Sequence, residues 1–371
     1  VSKTIVGVGD PKAVKKYSAQ LAVDTARKGY FNKKFMGVGE DAQTPLQTLP
    51  HLENDAGDQI SYDLVMQLKM KPIQGDNTLR GKEEDLKFYT DNLLIDQLRG
   101  GVNTGGKMTR KRTIHDLRKT ARVRQSDWWA RLFDETLFMY LSGARGINPD
   151  YIEDTDFTGY AGNALVPPDA HHILYGHDAT SKETLGVNDK MSLELIDRVA
   201  TLAETMGGGT SGVPAMQPVM IDGEEHFVLV MYPWCEYDLR TQLNTGNWLD
   251  IQKALATFEG RNSPICKGGL GIHNNVILHK HKGVIRFNDY GTGANITAAR
   301  NLFLGRQAGV VAFGSPGTGL RFDWNEELED RGNQVVITTG SIFGVKKSNF
   351  TINGNSYDFG VIALDCATAE P

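Results

Sequence analysis

A clear alternation, with Val65 the exception, runs through DQISYDLVMQLK, residues 58–69. Ile60, Tyr62, Leu64, Met66 and Leu68 fall on one side, and Ser61, Asp63, Gln67 and Lys69 on the other. Period two over this length predicts a strand with one protected face. A polar stretch with Gly75 and Gly81 follows, and LKFYTDNLLIDQLR predicts the returning strand. The pair is an extended two-stranded ribbon with a charged tip. A ribbon of two strands is marginal in water, so it is expected to pack on something outside itself.

The pattern then changes period. From Lys107 to Ser142 there is no Gly or Pro, and Ile114, Leu117, Ala121, Trp128 and Leu132 recur at helical spacing. This predicts one long helix over 107–142, basic in its first half and aromatic in its second. Ahead of the ribbon, residues 1–56 read as an arm, with a helix over 12–28 and an apolar knot at Tyr30, Phe31, Phe35 and Met36. Beyond 143 the chain is loop-rich to about 190. An amphipathic helix is predicted at 190–206, a hairpin through Asp222-Gly223 at 217–233, and partial helix at 237–258. Short strands separated by glycine turns are expected from 270 to the end: HNNVILHKHKGVIRFND, AGVVAFG, NQVVITTGSIFGVKK and YDFGVIALD. The class is α+β.

Charge sharpens this outline. The 371 residues carry 40 Lys and Arg against 45 Asp and Glu, a net charge of −5. Residues 1–36 nevertheless hold eight bases and two acids, and residues 107–125 hold eight bases and one acid, Asp116. Asp323, Glu326, Glu327, Glu329 and Asp330 form an acidic run. Blocks of opposite sign suit copies that attract one another, or one face turned toward an anion. Three scattered cysteines support neither a disulfide framework nor a cysteine zinc site. No apolar run is long enough for a membrane span.

Candidate chemistry is sparse. Gly101-Val-Asn-Thr-Gly-Gly-Lys107 matches the spacing of a phosphate-cradling loop between a strand and a helix, but Met108 stands where such a loop needs Ser or Thr for Mg²⁺. A nucleotide-binding enzyme using Lys107 is therefore the alternative reading. A nucleic-acid module built on the basic helix is a third, set back by the net acidity and by bases that surround the helix instead of marking one stripe. His171, His172 and His177, and His279 and His281, lie close in sequence without a cysteine or patterned carboxylate to complete a metal site. No metal and no cofactor is expected.

The order arm, ribbon, long helix, mixed region and closing strands resembles the major capsid proteins of tailed phages with the HK97-like fold. The stretches VDTARKGYFNKKFMG, GDQISYDLVMQLKMKPIQGDNTLRGKEEDLKFYTDNLLIDQLR and RKTARVRQSDWWARLFDETLFMYLSG are similar to the short-tailed-phage branch, covering roughly residues 20–143. Beyond 143 the resemblance is one of organisation, with MYPWCEYDLR and NDYG the most suggestive segments. It implies an N-terminal arm (1–56), an extended loop (57–100), a peripheral domain with its spine helix (101–210, helix 107–142), an axial domain (211–320) and returning peripheral strands (321–371).

The resemblance also implies a structural, non-enzymatic role. Pentamers and hexamers would form an icosahedral shell around double-stranded DNA, assembled in the host cytoplasm and destined for the virion capsid. Partners would include scaffolding, portal and decoration proteins, with non-specific contact to packaged DNA and none to a membrane. Tyr30, Phe31 and Phe35 of the arm, Arg80, Lys82, Glu83, Glu84 and Asp85 of the ribbon tip, and Arg110, Arg112 and Arg118 of the basic helix are the expected subunit interface. The arm is expected to start close to the start of its gene.

Overall fold

The computed structural model describes residues 11–39, 42–53, 57–66, 68, 70–207, 213–242, 251–252, 264–315 and 321–369. Elements are numbered in chain order. Six helices lie within these residues: α1 (Pro11–Lys28), α2 (Tyr30–Lys34), α3 (Lys107–Arg112), α4 (Leu117–Ser142), α5 (Leu193–Thr205) and α6 (Pro233–Gln242). A six-stranded sheet contains β1 (Met36–Val38), β2 (Leu46–Leu49), β5 (Asp96–Asn103), β13 (Gly309–Gly314), β14 (Phe322–Glu329) and β15 (Gln334–Lys347). An eight-stranded sheet contains β6 (Ile173–Tyr175), β7 (Val219–Ile221), β8 (Glu224–Met231), β9 (Gly271–His273), β10 (Val276–Lys280), β11 (Ile285–Tyr290), β12 (Ile296–Leu304) and β18 (Val361–Ala367). Two separate pairs complete the fold: the ribbon β3 (Gln59–Val65) with β4 (Phe88–Leu94), and the hairpin β16 (Asn349–Ile352) with β17 (Asn355–Asp358).

The expected long helix is two helices. Nothing in 113–115 forbids helix, but the Asp116 carboxylate accepts the backbone N–H groups of Arg118 and Lys119 (3.1 and 3.2 Å). An Asp at this position satisfies donors that a helix start leaves open, so α4 begins there and Thr113 is extended. At the other end Gly143 takes a left-handed conformation, φ 69°. A Cβ there would lie 2.0 Å from the Val166 carbonyl oxygen, so the position requires glycine.

Between these limits α4 runs for 26 residues, about 39 Å at 1.5 Å per residue. Its first half is one-sided, with Ala121 and Gln125 turned inward, while every residue from Leu132 to Ser142 is buried. The second half is enclosed on all sides because it cements the two sheets. One continuous core joins Phe133, Phe138 and Leu141 to Val311 and Phe343 of the first sheet and to Val230, Ile277 and Leu302 of the second. Phe133 stacks on Phe313 with centroids 5.8 Å apart, and Trp129 donates its indole N–H to Thr339 Oγ1 at 2.8 Å.

β15 organises the first sheet. β5 pairs along one edge, and β14 followed by β13 along the other. In the second sheet β12 is flanked by β8, β11 and β18. Arg300 of β12 and Asp365 of β18 are register partners and form a buried two-bond pair, at 2.8 and 2.7 Å. Tyr290 donates its hydroxyl to Asp365 at 2.6 Å, and Arg300 also donates to the carbonyl of Ser142 at 3.0 Å. The network ties the end of α4 to the second sheet and satisfies charges that burial would otherwise make costly.

Sheet membership does not follow chain order. β13, within the expected axial segment 211–320, belongs to the first sheet, and β18, within 321–371, belongs to the second. The chain crosses between the sheets more often than a linear division allows. The ribbon differs too. Its base does not wait for an outside partner: Tyr62, Leu64, Met66 and Tyr89 pack on Phe350, Ile352 and Phe359 around the β16–β17 hairpin. The alternation expected over 58–69 holds through β3, with Gln67 and Lys69 outside the described residues. The part of 237–258 expected to be helical is α6 to Gln242, with 243–250 and 253–258 outside them as well.

Candidate assembly surfaces

The arm is fastened to the chain's own core. Gly29 leaves the start of α2 without a side-chain cap, and the carboxylate of Asp134, reaching from α4, accepts the N–H groups of Tyr30 (2.7 Å) and Phe31 (3.1 Å) instead. Phe31 and Phe35 are completely buried. Phe31 meets the Phe138 ring edge-on at 4.7 Å, Phe35 meets His279 at 5.2 Å, and Tyr30 lies 4.4 Å from His281. The expectation that Tyr30, Phe31 and Phe35 face a neighbouring copy is thereby corrected for the two phenylalanines, and most of Tyr30 is enclosed as well. Aromatic side chains on a short arm helix gain more by entering an existing core than by waiting in water.

Burial sets the protonation of this anchor. Desolvation raises the Asp134 carboxyl to about 7 despite its two N–H donors. The same cause lowers His279 and His281 to about 4, with Lys34 adding to both effects. His279 Nε2 lies 2.8 Å from the Ile265 carbonyl, so these imidazoles are neutral packing groups.

The ribbon tip presents the opposite picture. Arg80, Lys82, Glu83 and Asp85 are exposed and Glu84 is half-buried. Leu79, Leu86 and Phe88 are 55 %, 58 % and 56 % exposed, which is unusual for three large apolar side chains so close together. Glu83 accepts the Gly81 N–H at 2.6 Å, which shapes the turn and holds its carboxyl below the ordinary range together with its own backbone N–H.

The basic segment divides by depth. Arg112 is exposed, Arg110 is half-buried and donates to the Asn333 carbonyl at 3.1 Å, and Arg118 pairs with the buried Glu326 at 2.7 Å. Arg118 therefore helps hold α4 to β14 within the chain. Ile114, at the break between α3 and α4, is fully exposed, and Met108 is 61 % exposed.

The phosphate-loop reading fails on geometry. Gly101, Val102 and Asn103 are not loop but the end of β5, paired with Thr338, Ile337 and Val336. Two of the N–H groups in the short turn that remains already have acceptors: Gly105 donates to Asn103 Oδ1 at 2.8 Å and Lys107 to Asn333 Oδ1 at 3.1 Å. α3 is only six residues long. No cradle is left for a phosphate.

The histidines also separate. His172 is buried beside Asp169 at 2.8 Å, and His177 is exposed beside Asp178 at 2.9 Å. His177, Asp178 and Asp189 bring possible ligand atoms within 4.8 Å of one another. Arg198 donates to the His177 carbonyl there, placing a cation next to the group. Burial pushes the Cys235 thiol up to about 12 and raises Cys366 as well, so neither is a ready nucleophile. Sequence reasoning missed β12 and β14 as strands, and with them Arg300 and Trp324. The alternation of Phe322, Trp324 and Glu326 was the available signal for β14, masked by its acidity.

Comparison with known proteins fits a molecule with a firm double-sheet core and conspicuous unspent surfaces. The chain is 50% identical to a capsid protein of Ralstonia phage GP4 in a structure spanning 100% of this chain and 99% of that one, with a TM-score of 0.85. The cyanophage Pam1 capsid is 19% identical, covers 93% and 94% of the two chains, and has a TM-score of 0.69, which speaks to the fold. The major capsid protein of Pseudomonas phage KPP25 is 27% identical over 363 residues, 91% of this chain and 90% of that one. The α+β, HK97-like fold implied by the sequence resemblance is the fold found. Matched from residue 5 to residue 370, the chain belongs to the phage capsid protein family.

Proposed function

We propose that this chain is the major capsid protein of a tailed phage, and that its copies assemble as pentamers and hexamers into an icosahedral shell around double-stranded DNA. Assembly takes place in the host cytoplasm, with scaffolding, portal and decoration proteins as partners and with non-specific charge contacts to the packaged DNA. The role is structural, with no catalytic step. One observation carries the reading: the ribbon tip and the α3–α4 break hold Leu79, Leu86, Phe88, Met108 and Ile114 in solvent, on a chain whose core is otherwise well packed. Such groups contribute nothing to a lone subunit and gain from a neighbour. Many modest contacts repeated around a closed shell sum to a stable particle.

The test is electron microscopy of the purified full chain, alone and co-expressed with its scaffold. Closed shells, tubes or hexamer sheets are the expected outcome. A chain that stays monomeric in both conditions would sink the reading.

A further inference from the structure

At one corner of the molecule two patches of opposite sign adjoin. The first is the elbow formed by α3 and the start of α4. Lys107, Lys111, Arg112 and Lys119 are exposed there together with Met108 and Ile114. Beside them lies a cleft of about 320 Å³, lined by Leu117, Val335 and Ile337, by Arg110, His115 and Arg118, and by the carboxylates of Asp116 and Glu326, the latter paired with Arg118. Arg110 donates through one terminal nitrogen to the Asn333 carbonyl, and its Nε has no acceptor among the described residues. The second patch is the end of β14 and the turn after it. Glu327, Glu329 and Asp330 are exposed there, and Leu328 is 51 % exposed between them.

Asn333 fixes the patches side by side. Its Oδ1 accepts the Lys107 N–H, its carbonyl accepts from Arg110, and its amide donates to Asp330 at 3.1 Å. Within the chain the base–acid pair at this corner is Arg118 with Glu326, which lies deeper than the exposed acids. Both patches therefore keep charge and apolar surface for something else.

We propose that the acidic end of β14 from one copy seats in the basic elbow of the next, with Leu328 directed to Met108 and Ile114 and a carboxylate directed to Arg110. This rests on the capsid reading and names one of its contacts. The occupant is a second copy because it supplies acids with an apolar residue among them to an elbow whose exposed bases outnumber its one exposed acid, Asp116. A DNA duplex would supply the anions but no partner for Ile114, and it would be repelled by Glu327, Glu329 and Asp330 at the elbow's edge. Because the two patches differ, the contact is heterologous.

The experiment is a charge swap in the full chain co-expressed with its scaffold. One variant carries Lys111→Glu and Arg112→Glu, a second carries Glu327→Lys and Glu329→Lys, and a third carries all four. All four positions are exposed, so the thermal midpoint of the subunit is expected to stay within a few degrees of the parent. Each reversed pair is expected to lower the yield of closed shells by about tenfold or more, and the four-fold variant to recover to within about threefold of the parent. A milder variant, Glu327→Gln with Glu329→Gln, guards against misfolding and is expected to give fewer shells at low salt and a shallower dependence on salt than the parent. Normal shells from either reversed pair would overturn the contact. So would a well-folded four-fold variant that fails to recover, or single variants that assemble normally but lose retention of duplex DNA. A parent chain that forms no shells overturns the capsid reading and takes the contact with it, which separates the two failures.

Discussion

Leucines tell two stories in this chain. Leu137 and Leu141, in the second half of α4, are no more than 1 % exposed, whereas Leu79 and Leu86, at the ribbon tip, are 55 % and 58 % exposed. Burying such a side chain contributes about 1.5–3 kcal/mol. In α4 that free energy is collected when the chain folds, because both sheets close over the helix. At the ribbon tip it is not collected within the chain, and under the proposed assembly a neighbour would supply the cover. The difference between the two regions follows position in the fold, not residue type.

The largest expected effect lies at the buried pair joining α4 to the second sheet. Arg300→Met leaves the enclosed Asp365 with only Tyr290 as side-chain donor, and should cost about 3–5 kcal/mol in urea unfolding of the full chain. The double change Arg300→Met with Asp365→Leu should cost far less, since no charge is stranded. A small loss in the single variant would break the claim that this half of the molecule is committed to folding.

Next is the arm. Phe31→Ala removes a fully buried ring and should destabilise by about 3–5 kcal/mol if the whole chain feels it. Because α2 is at the edge of the core, faster proteolysis of the arm is expected before global unfolding. Unchanged arm cleavage would return Phe31 to the list of groups reserved for neighbours.

A smaller effect is expected from pH. Burial lowers His279 and His281 from the ordinary 6.5 to about 4. Their contribution is complete above 6.5 and is lost as pH falls toward 4. Asp134 is raised to about 7 from 3.8, so its contribution is complete below 3.8 and is lost as pH rises through 7. With two imidazoles against one carboxyl, arm docking should be firmest near pH 6.5, read by limited proteolysis across pH. Asp134→Asn should flatten the decline between 6.5 and 7 and leave the acidic limb in place. A monotonic profile in the parent would contradict this arrangement.

The smallest effect on the subunit sharpens the comparison most. Leu79→Ser with Leu86→Ser should change subunit stability by no more than about 0.5 kcal/mol per site, while shell yield in the electron microscope falls. A loss of subunit stability beyond that would show that the tip is already engaged within its own chain.

Much of the fold is legible in the residues. The alternation of Ile60, Tyr62 and Leu64, the uninterrupted helical run before Gly143, and the Asp222-Gly223 turn each dictate their own element, because their signals are local. β12 is harder to see: ITAARNLFL mixes small, charged and apolar residues, and Arg300 looks like a surface group until Asp365 is brought opposite it. Of the expected assembly groups, the exposure of the ribbon tip is legible because charged residues crowd one turn. Phe31, Phe35 and Arg118 are not, since an aromatic or basic side chain on an arm or helix reads alike whether its partner is in the same chain or the next.

By itself the sequence determined the succession of arm, ribbon and long helix, the end of α4 at Gly143, and the opposed charge of residues 107–125 and 323–330. Only the tertiary structure decided that β13 and β18 change sheets, that the arm's aromatic knot belongs to its own core, and that the two charged blocks share one corner. Backbone preferences, caps and alternation act over a few residues. Burial and charge pairing are settled between residues hundreds of positions apart, where the identity of a side chain does not reveal which partner the fold will bring to it.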